Sequence, residues 1–220
     1  GAEDTRVVDP LDKSPITGTR IAIYTEPSIS GNTLFSRVVS SDRLVGLTAR
    51  LNGTRLGVQI GNMSPVFKSK ISHGSTLSGG TAYGTFRDGD IAVITLQASS
   101  EGIRAQDSSQ WPKLLKELMD GREKNLVLVL NRKVSNFTDT MESALLHELM
   151  VEAAENGRNV FLVQSGSRNT AQLRDGVRYI EITGTKASTP SELSAFAYFE
   201  LSMDGSTISY QLVKPFGLSK

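Results

Sequence analysis

The sequence DGDIAVITLQASSEGIRAQDSSQWPKLLKEL (Asp88–Leu118) has the pattern of a strand, a polar loop and a helix. Ile91–Leu96 is an apolar run of strand length, rich in β-branched residues, which indicates a strand buried on both faces. Three polar residues offer an N-cap for the helix: Asp107, Ser108 and Ser109. Pro112 suits the first helical turn. One apolar face of the helix is formed by Trp111, Leu114, Leu115 and Leu118.

The same alternation of strand and helix continues along the chain. Three further runs predict strands: Asn125–Leu130, Asn159–Gln164 and Val177–Ile182. A second helix is predicted over Met141–Glu155, where Asp139 and Glu142 have the spacing of a capping box and Gly157 follows the end. Its apolar face carries Leu145, Leu146, Leu149, Met150 and Ala153. This order predicts an α/β fold with a largely parallel core and right-handed crossovers.

Shorter elements surround this core. Ile21–Tyr24 and Leu56–Ile60 are predicted strands, and Ala82–Phe86 is a predicted edge strand. Phe196–Met203 and Thr207–Val213 alternate in polarity across Asp204-Gly205, which predicts a hairpin. Leu34–Arg50 satisfies neither the helical nor the strand period.

Two glycine-containing stretches are considered as ligand-binding loops, and neither matches a known motif. Asp88-Gly89-Asp90 has too few carboxylates for a calcium loop and is interpreted as a hairpin turn. Gly74–Gly84 lacks the lysine and the spacing of a phosphate-binding loop.

Length and composition restrict the function. With 220 residues, 38% of them hydrophobic, the chain is long enough for one sizeable core, and we expect residues 1–19 to be a leader or linker and residues 20–220 one domain. The 24 basic and 23 acidic residues nearly balance, which argues against nucleic-acid binding. Cysteine is absent, and no apolar run has the length of a membrane span. No signal peptide is recognisable, and Gly1-Ala2 suggests an excised piece of a longer chain.

Three segments carry a resemblance to a known family: GIRAQDSSQWPKLLKEL (Gly102–Leu118), FTDTMESALL (Phe137–Leu146) and DGVRYIEI (Asp175–Ile182). Their order resembles the C-terminal half of the calcineurin-like metallophosphoesterases. It is more similar to a degenerate version found in secreted bacterial proteins beside a phosphodiester glycosidase domain. The resemblance covers roughly residues 20 to 213. It implies a sandwich of two β-sheets flanked by helices, with an abbreviated N-terminal half; the alternative is an ordinary doubly wound α/β domain.

The metal-binding motifs of that family are missing from this chain. Thr25-Glu26-Pro27 stands where Asp-x-His is expected, and no Gly-Asp-x-x-Asp segment is found. Gly61-Asn62-Met63-Ser64 replaces Gly-Asn-His-Asp, so only Asn62 matches. Asn131-Arg132-Lys133 takes the place of a lone His, and Gly166-Ser167-Arg168-Asn169 that of Gly-His-x-His. The resemblance therefore implies no metal ligands, no catalytic residues and no cofactor.

The remaining candidates for chemistry are few. The chain has two histidines, of which His147 adjoins the apolar face of a predicted helix and His73 lies in a Gly/Ser loop. Neither is at a family metal position. Ser165-Gly166-Ser167 lacks the Gly-x-Ser-x-Gly pattern of a nucleophile elbow and is better explained as a former metal loop.

Basic residues could replace the lost cations. If the resemblance holds, Arg132 and Arg168 follow neighbouring strands, and with Asn62 and Ser167 they are the candidate ligand-binding residues. The alternative for Arg132, Lys133, Arg168 and Arg174 is that they are solvated, or pair with Glu101, Asp139 or Asp175.

The resulting hypothesis is a non-catalytic accessory module of a secreted or cell-envelope bacterial protein. Its role would be structural, or binding of an anionic glycan or phosphate-containing envelope polymer, beside neighbouring domains of a longer chain. The alternative is an active, metal-independent phosphoesterase or phosphodiester glycosidase-type hydrolase.

Overall fold

The computed structural model describes residues 7–8, 18–25, 28–29, 47, 50–63, 65–184, 186–187, 189–204 and 207–216. The chain divides into two compact units. The first consists of Gly1–Asp4, Leu77–Gly166 and Thr170–Glu181, and the second of Thr5–Thr76, Ser167–Asn169 and Ile182–Lys220.

The described strands alternate with helices in the middle of the chain. The strands are β1 (Val7–Val8), β2 (Thr19–Tyr24), β3 (Ser28–Ile29), β4 (Leu56–Ile60), β5 (Ser75–Gly79), β6 (Gly84–Asp88), β7 (Ile91–Leu96), β8 (Asn125–Leu130), β9 (Asn159–Ser165), β10 (Thr170–Arg174), β11 (Val177–Ile182), β12 (Lys186–Ala187), β13 (Tyr198–Asp204) and β14 (Thr207–Val213). The helices are α1 (Pro65–Lys70), α2 (Ile103–Gln106), α3 (Gln110–Asp120), α4 (Thr140–Glu155) and α5 (Pro190–Ser194), with a 3-10 turn at Val134–Asn136.

The first unit is built on a six-stranded sheet in the order β10-β11-β9-β8-β7-β6. Strands β7, β8 and β9 run parallel, which confirms the predicted parallel core, while β6 is antiparallel to β7. All residues of β7 and β8 are buried, as their uninterrupted apolar runs predict. Helices α3 and α4 bury Leu114, Leu118, Leu146 and Met150 in the core of this unit.

Two-residue turns close the hairpins of this sheet. Asp88 pairs with Ile91 across Gly89-Asp90, so the predicted hairpin is confirmed. Arg174 pairs with Val177 across Asp175-Gly176, and both turn residues have positive φ, 51° and 81°. These dihedrals are typical of the I′ hairpin turn, which favours Asp-Gly. The sequence does not predict β10, because its residues are polar or exposed and lack a buried face.

The second unit contains a mixed sheet in the order β1-β14-β13-β2-β4-β5. The parallel pair β2–β4 and the antiparallel hairpin β13–β14 confirm the predicted strands, although β13 starts at Tyr198 and not at Phe196. Strand β5 is not predicted, since Ser75–Gly79 has no apolar pattern. Within the uncertain stretch 34–50, only Leu47 and Arg50 belong to the described residues, and both are helical.

The chain is thus a mixed α/β fold with two mixed β-sheets flanked by helices, consistent with the metallophosphoesterase-like sandwich that the family resemblance implies. The alternative of a doubly wound domain on a single sheet is excluded by the second six-stranded sheet. Within the described residues, no helix combines the length and the apolar character needed to cross a bilayer.

Two predicted apolar faces are only partly correct. On α3, Leu114 and Leu118 are buried and Trp111 is half-buried, but Leu115 is 39% exposed. On α4, Leu145 is 47% exposed although the sequence assigns it to the core face. Each helix therefore carries more apolar residues than its core contact covers.

Candidate functional site

His73 lies at the centre of a hydrogen-bond chain in the second unit. Thr54 Oγ1 donates to the carbonyl of Leu51 at 3.0 Å, so it accepts from His73 Nδ1 at 2.5 Å. Nε2 of His73 then accepts from the Tyr24 hydroxyl at 2.7 Å, and this hydroxyl accepts from Gln59 Nε2 at 3.3 Å. The donors thus match a neutral imidazole protonated at Nδ1.

Burial holds His73 in this neutral form. Loss of water contact lowers the pKa of His73 below its ordinary value, because the charged imidazolium is poorly solvated there. Burial likewise raises the pKa of Tyr24 to about 12, so its hydroxyl keeps the proton that it donates. Gly57 makes room for the ring, because a Cβ at this position would lie 2.2 Å from His73 Cδ2.

His147 forms a second hydrogen-bonded cluster, in the first unit. It is a half-buried residue of α4, as the sequence predicts. Its Nε2 lies 2.8 Å from Asp175 Oδ2, and its Nδ1 lies 2.5 Å from the hydroxyl of Tyr179. A carboxylate only accepts, so Nε2 of His147 donates to Asp175, and the Tyr179 hydroxyl is the hydrogen-bond partner of Nδ1.

The order Asp175, His147, Tyr179 is the order of acid, base and nucleophile in a hydrolase triad. Burial raises the pKa of Tyr179 to about 12, so its phenolate is harder to form than that of an exposed tyrosine. The cluster instead connects α4 to the turn between β10 and β11.

Side-chain amides from strand ends and from the start of α3 bind the backbone around the carboxyl ends of the parallel strands, where sheets of this kind usually bind ligands. Asn131 accepts from the amide of Ala98 at 2.9 Å and donates to its carbonyl at 3.0 Å. Gln110 makes the same pair of bonds to Gln97, at 2.8 and 3.1 Å. Gln164 accepts from the Val134 amide at 2.9 Å. These amides hold the loops that follow the strands.

An ion pair occupies the same end of the sheet. Lys133 Nζ lies 2.9 Å from Glu181 Oε2, and the Glu181 side chain is only 6% exposed. This pairing replaces the predicted partners of Lys133, which were Glu101, Asp139 or Asp175. Gly166 is required beside it, because a Cβ there would lie 2.2 Å from Glu181 Oε1. Arg174, for which the sequence also allows an ion pair, has its guanidinium stacked on the ring of Tyr179, 4.9 Å from the ring centroid.

The four predicted ligand-binding residues are divided between the units. Arg132 is exposed and follows β8 in the first unit. Asn62, Ser167 and Arg168 are exposed and belong to the second unit. The adjacent Asn169 stabilises its loop by accepting from the Thr183 amide and donating to the Ala195 carbonyl. A common ligand site formed by the four residues remains a prediction.

The side chain of Glu142 has a different role from the one that the sequence predicts. Asp139 accepts from the Glu142 amide at 3.0 Å, so Asp139 is the N-cap of α4 as predicted. The Glu142 side chain does not return to Asp139, and this half of the predicted capping box is wrong. It is buried and accepts from the backbone amides of Ile103 and Arg104 and from the Trp111 indole. Among the residues that the structure describes, no three His, Asp or Glu side chains are arranged to hold a metal ion.

Comparisons with known proteins show similarity in the fold. No protein-family model matches the chain, and no curated protein matches it in sequence. Of the solved structures, GAP50, the anchor in the inner membrane complex of Plasmodium, is similar at a TM-score of 0.51 and 10% identity, over 90% of this chain and 84% of that chain. Vps29 from Entamoeba histolytica, determined with bound Zn²⁺, is similar at a TM-score of 0.42 and 8% identity, over 90% of this chain and 100% of that one. At 10% identity, the similarity to GAP50 concerns the fold alone.

Proposed function

We propose that the protein is a non-catalytic module with a metallophosphoesterase-like fold, which binds or supports other molecules without transforming them. The observation that carries this proposal is the state of the two histidines, the only ones in the chain. All four of their ring nitrogens form hydrogen bonds with other side chains of the protein. An imidazole in this state cannot bind a metal or take a proton from a substrate without losing a bond.

The cost of such a loss is considerable. A buried polar group that loses its partner costs about 1–3 kcal/mol. Recruiting either histidine for catalysis would carry this cost, and the amides at the strand ends, on Asn131, Gln110 and Gln164, are engaged in the same way. These contacts support a site whose polar groups stabilise loops.

The finer form of the proposal concerns the ligand. Exposed Arg132 and Arg168 could each bind an anionic group, with Asn62 and Ser167 as hydrogen-bonding neighbours of Arg168 or of the ligand. An anionic glycan or a phosphate-containing envelope polymer has this chemistry. The placement in a secreted or envelope protein, beside a phosphodiester glycosidase domain, rests on the sequence resemblance.

The ligand can be tested by titration. Wild type and an Arg132→Ala/Arg168→Ala double variant are titrated with a phosphorylated oligosaccharide and with glycerol-phosphate oligomers, at low and high salt, while phosphate release is followed. We expect weak, salt-sensitive binding that the double variant loses. A matched Arg122→Ala/Arg104→Ala variant, with the same change of charge, should retain the binding. Equal binding by both double variants would contradict the assignment.

One observation favours a second candidate, a metal-independent hydrolase. The Asp175–His147–Tyr179 cluster has the connectivity of a triad, and two of its members, His147 and Asp175, line a groove on the surface of the first unit. Tyr179→Phe distinguishes the two functions. If an esterase or phosphodiesterase activity is found and this variant abolishes it while melting at the wild-type temperature, the catalytic alternative is correct.

A further inference from the structure

Exposed apolar side chains are concentrated on two neighbouring helices of the first unit. Of the five large hydrophobic residues that are exposed in the described part of the chain, four lie on α3 and α4: Leu115, Met119, Met141 and Leu145, at 39, 60, 82 and 47% exposure. Helices α3 and α4 pack against each other. A concentration of exposed apolar side chains on neighbouring helices is typical of an interaction site.

Part of this surface is a groove of about 770 Å³, called here the apolar groove. Its apolar lining comes from Trp111, Met141, Ala144 and Leu145. Its charged groups are mostly engaged already: Arg104 pairs with Asp139 at 3.2 Å, and Glu142 accepts the Trp111 indole. The groove therefore offers an incoming ligand mainly apolar contacts.

A second groove, of about 760 Å³, lies along the rest of α4 and is called the acidic groove. It is lined by His147, Glu148, Val151, Glu152, Glu155 and Asp175, and no Lys or Arg is among its described lining residues. Glu148 lines both grooves, so they are contiguous. The whole of α4 contains four glutamates and no Lys or Arg.

We propose that the two grooves together dock an amphipathic helix of a partner protein, with apolar side chains in the apolar groove and Lys or Arg side chains at the acidic groove. A helix docked in this way does not depend on the anion site, and it would cover His147 and Asp175, which the alternative hydrolase would need to keep open. From Met141 to Glu155, α4 extends about 21 Å at 1.5 Å per residue, which matches a partner helix of about 14 residues. Apolar anchors in a groove are the usual mode of helix recognition, and methionines adapt well to such anchors.

The negative charge of α4 favours a basic helix over two other occupants, a lipid surface and a second copy of the chain. An anionic lipid surface would be repelled by Glu148, Glu152 and Glu155. A second copy of the chain, docked with α4 against α4, would set the glutamates of the two helices against each other, and α4 has no Lys or Arg to pair with them. A basic helix satisfies both the apolar and the acidic parts.

The test uses two 14-residue peptides with leucines at helical spacing, one with lysines and one with glutamates on the polar positions. Trp111, the single tryptophan of the chain, lies in the apolar groove, so its fluorescence reports binding directly. We expect the lysine peptide to bind with a salt-dependent affinity and the glutamate peptide to bind at least tenfold more weakly.

Variants locate the binding. The double variant Met141→Ser/Leu145→Ser should bind the lysine peptide at least tenfold more weakly than wild type. The double variant Glu148→Gln/Glu152→Gln should also bind it more weakly, and its binding should depend less on salt. Leu173→Ser is the matched control, because Leu173 is similarly exposed, at 40%, but lies on β10 and lines neither groove. The four substituted groove residues are exposed, so both double variants should have the melting temperature of wild type. Unchanged binding by the two groove variants, concentration-dependent dimerisation abolished by Met141→Ser/Leu145→Ser, or binding to anionic vesicles in place of the peptide would overturn the proposal.

Discussion

The indole Nε1 of Trp111 donates a hydrogen bond to Oε1 of Glu142, 2.5 Å away, and so connects α3 to α4. The same carboxylate accepts from the amides of Ile103 and Arg104, at 2.9 and 2.7 Å, which connects it to α2. Gly102 allows this approach, because a Cβ there would lie 1.7 Å from Glu142 Oε2. One buried carboxylate therefore joins three helices, and its partners all lie within Gly102–Leu118.

Gly102→Ala should destabilise the fold strongly. Its φ of 149° is unfavourable for alanine, and the added methyl group would displace the Glu142 carboxylate. Backbone strain and the loss of these hydrogen bonds together should cost about 3 kcal/mol or more in the free energy of unfolding. Gly157→Ala is the control, because Gly157 also has positive φ, 92°, but no atom within 4 Å of the new Cβ. Urea denaturation that gave both variants the same stability would contradict this role of Gly102.

Trp111→Phe tests the hydrogen bond separately from packing. Phenylalanine keeps an aromatic ring beside the core but cannot donate to Glu142, so we expect a loss of about 1–3 kcal/mol in the free energy of unfolding. In a Glu142→Gln background, the bond to a charged acceptor is already removed, and Trp111→Phe should cost less than in wild type. Additive effects in this double-mutant cycle would show that the two side chains are not coupled.

The pH dependence of stability should reveal His73. Its pKa in the folded protein is lowered by burial, so the unfolded chain binds the proton more tightly. The contribution to stability is therefore fully present above the unfolded pKa of about 6.5 and is lost as the pH falls toward the folded pKa. His73→Gln should be less stable at pH 8 but should show a smaller further loss between pH 7 and pH 5. A variant whose stability falls as steeply as that of wild type in this window would disprove the assignment.

Metal stoichiometry tests the ligand set. After incubation with Mn²⁺, Zn²⁺ or Fe²⁺ and removal of excess metal, elemental analysis should find less than about 0.2 ion per chain, since the ring nitrogens of both histidines are bonded within the protein. One or two ions per chain that are lost on substitution of Asn62 would show a working metal centre.

The buried strands and the hairpin turn at Gly89-Asp90 were predictable because they depend on local patterns. Ile91–Leu96 and Asn125–Leu130 have the uninterrupted apolar composition of central strands. Strands β5 and β10 were missed because their residues are stabilised mainly by pairing with neighbouring strands and have no pattern of their own.

The contacts at the candidate site were not predictable, because they join distant parts of the chain. Asp139 caps α4 by accepting from the Glu142 amide three residues later, as the sequence indicates. The Glu142 side chain, however, binds groups that are 31 to 39 residues away in the sequence. His73 likewise depends on Tyr24, which is 49 residues distant. The exposure of Leu115 and Leu145 follows from the way α3 and α4 pack, which periodicity does not specify.

The central claim, that the protein is non-catalytic, is tested most directly by assaying hydrolysis of the phosphodiester bis(p-nitrophenyl) phosphate with added Mn²⁺, with Zn²⁺ and with a chelator. We expect no release of nitrophenol above the buffer control in any of the three conditions, and no difference between wild type and a His73→Gln/His147→Gln variant. Turnover by wild type that this variant loses while remaining folded would contradict the account.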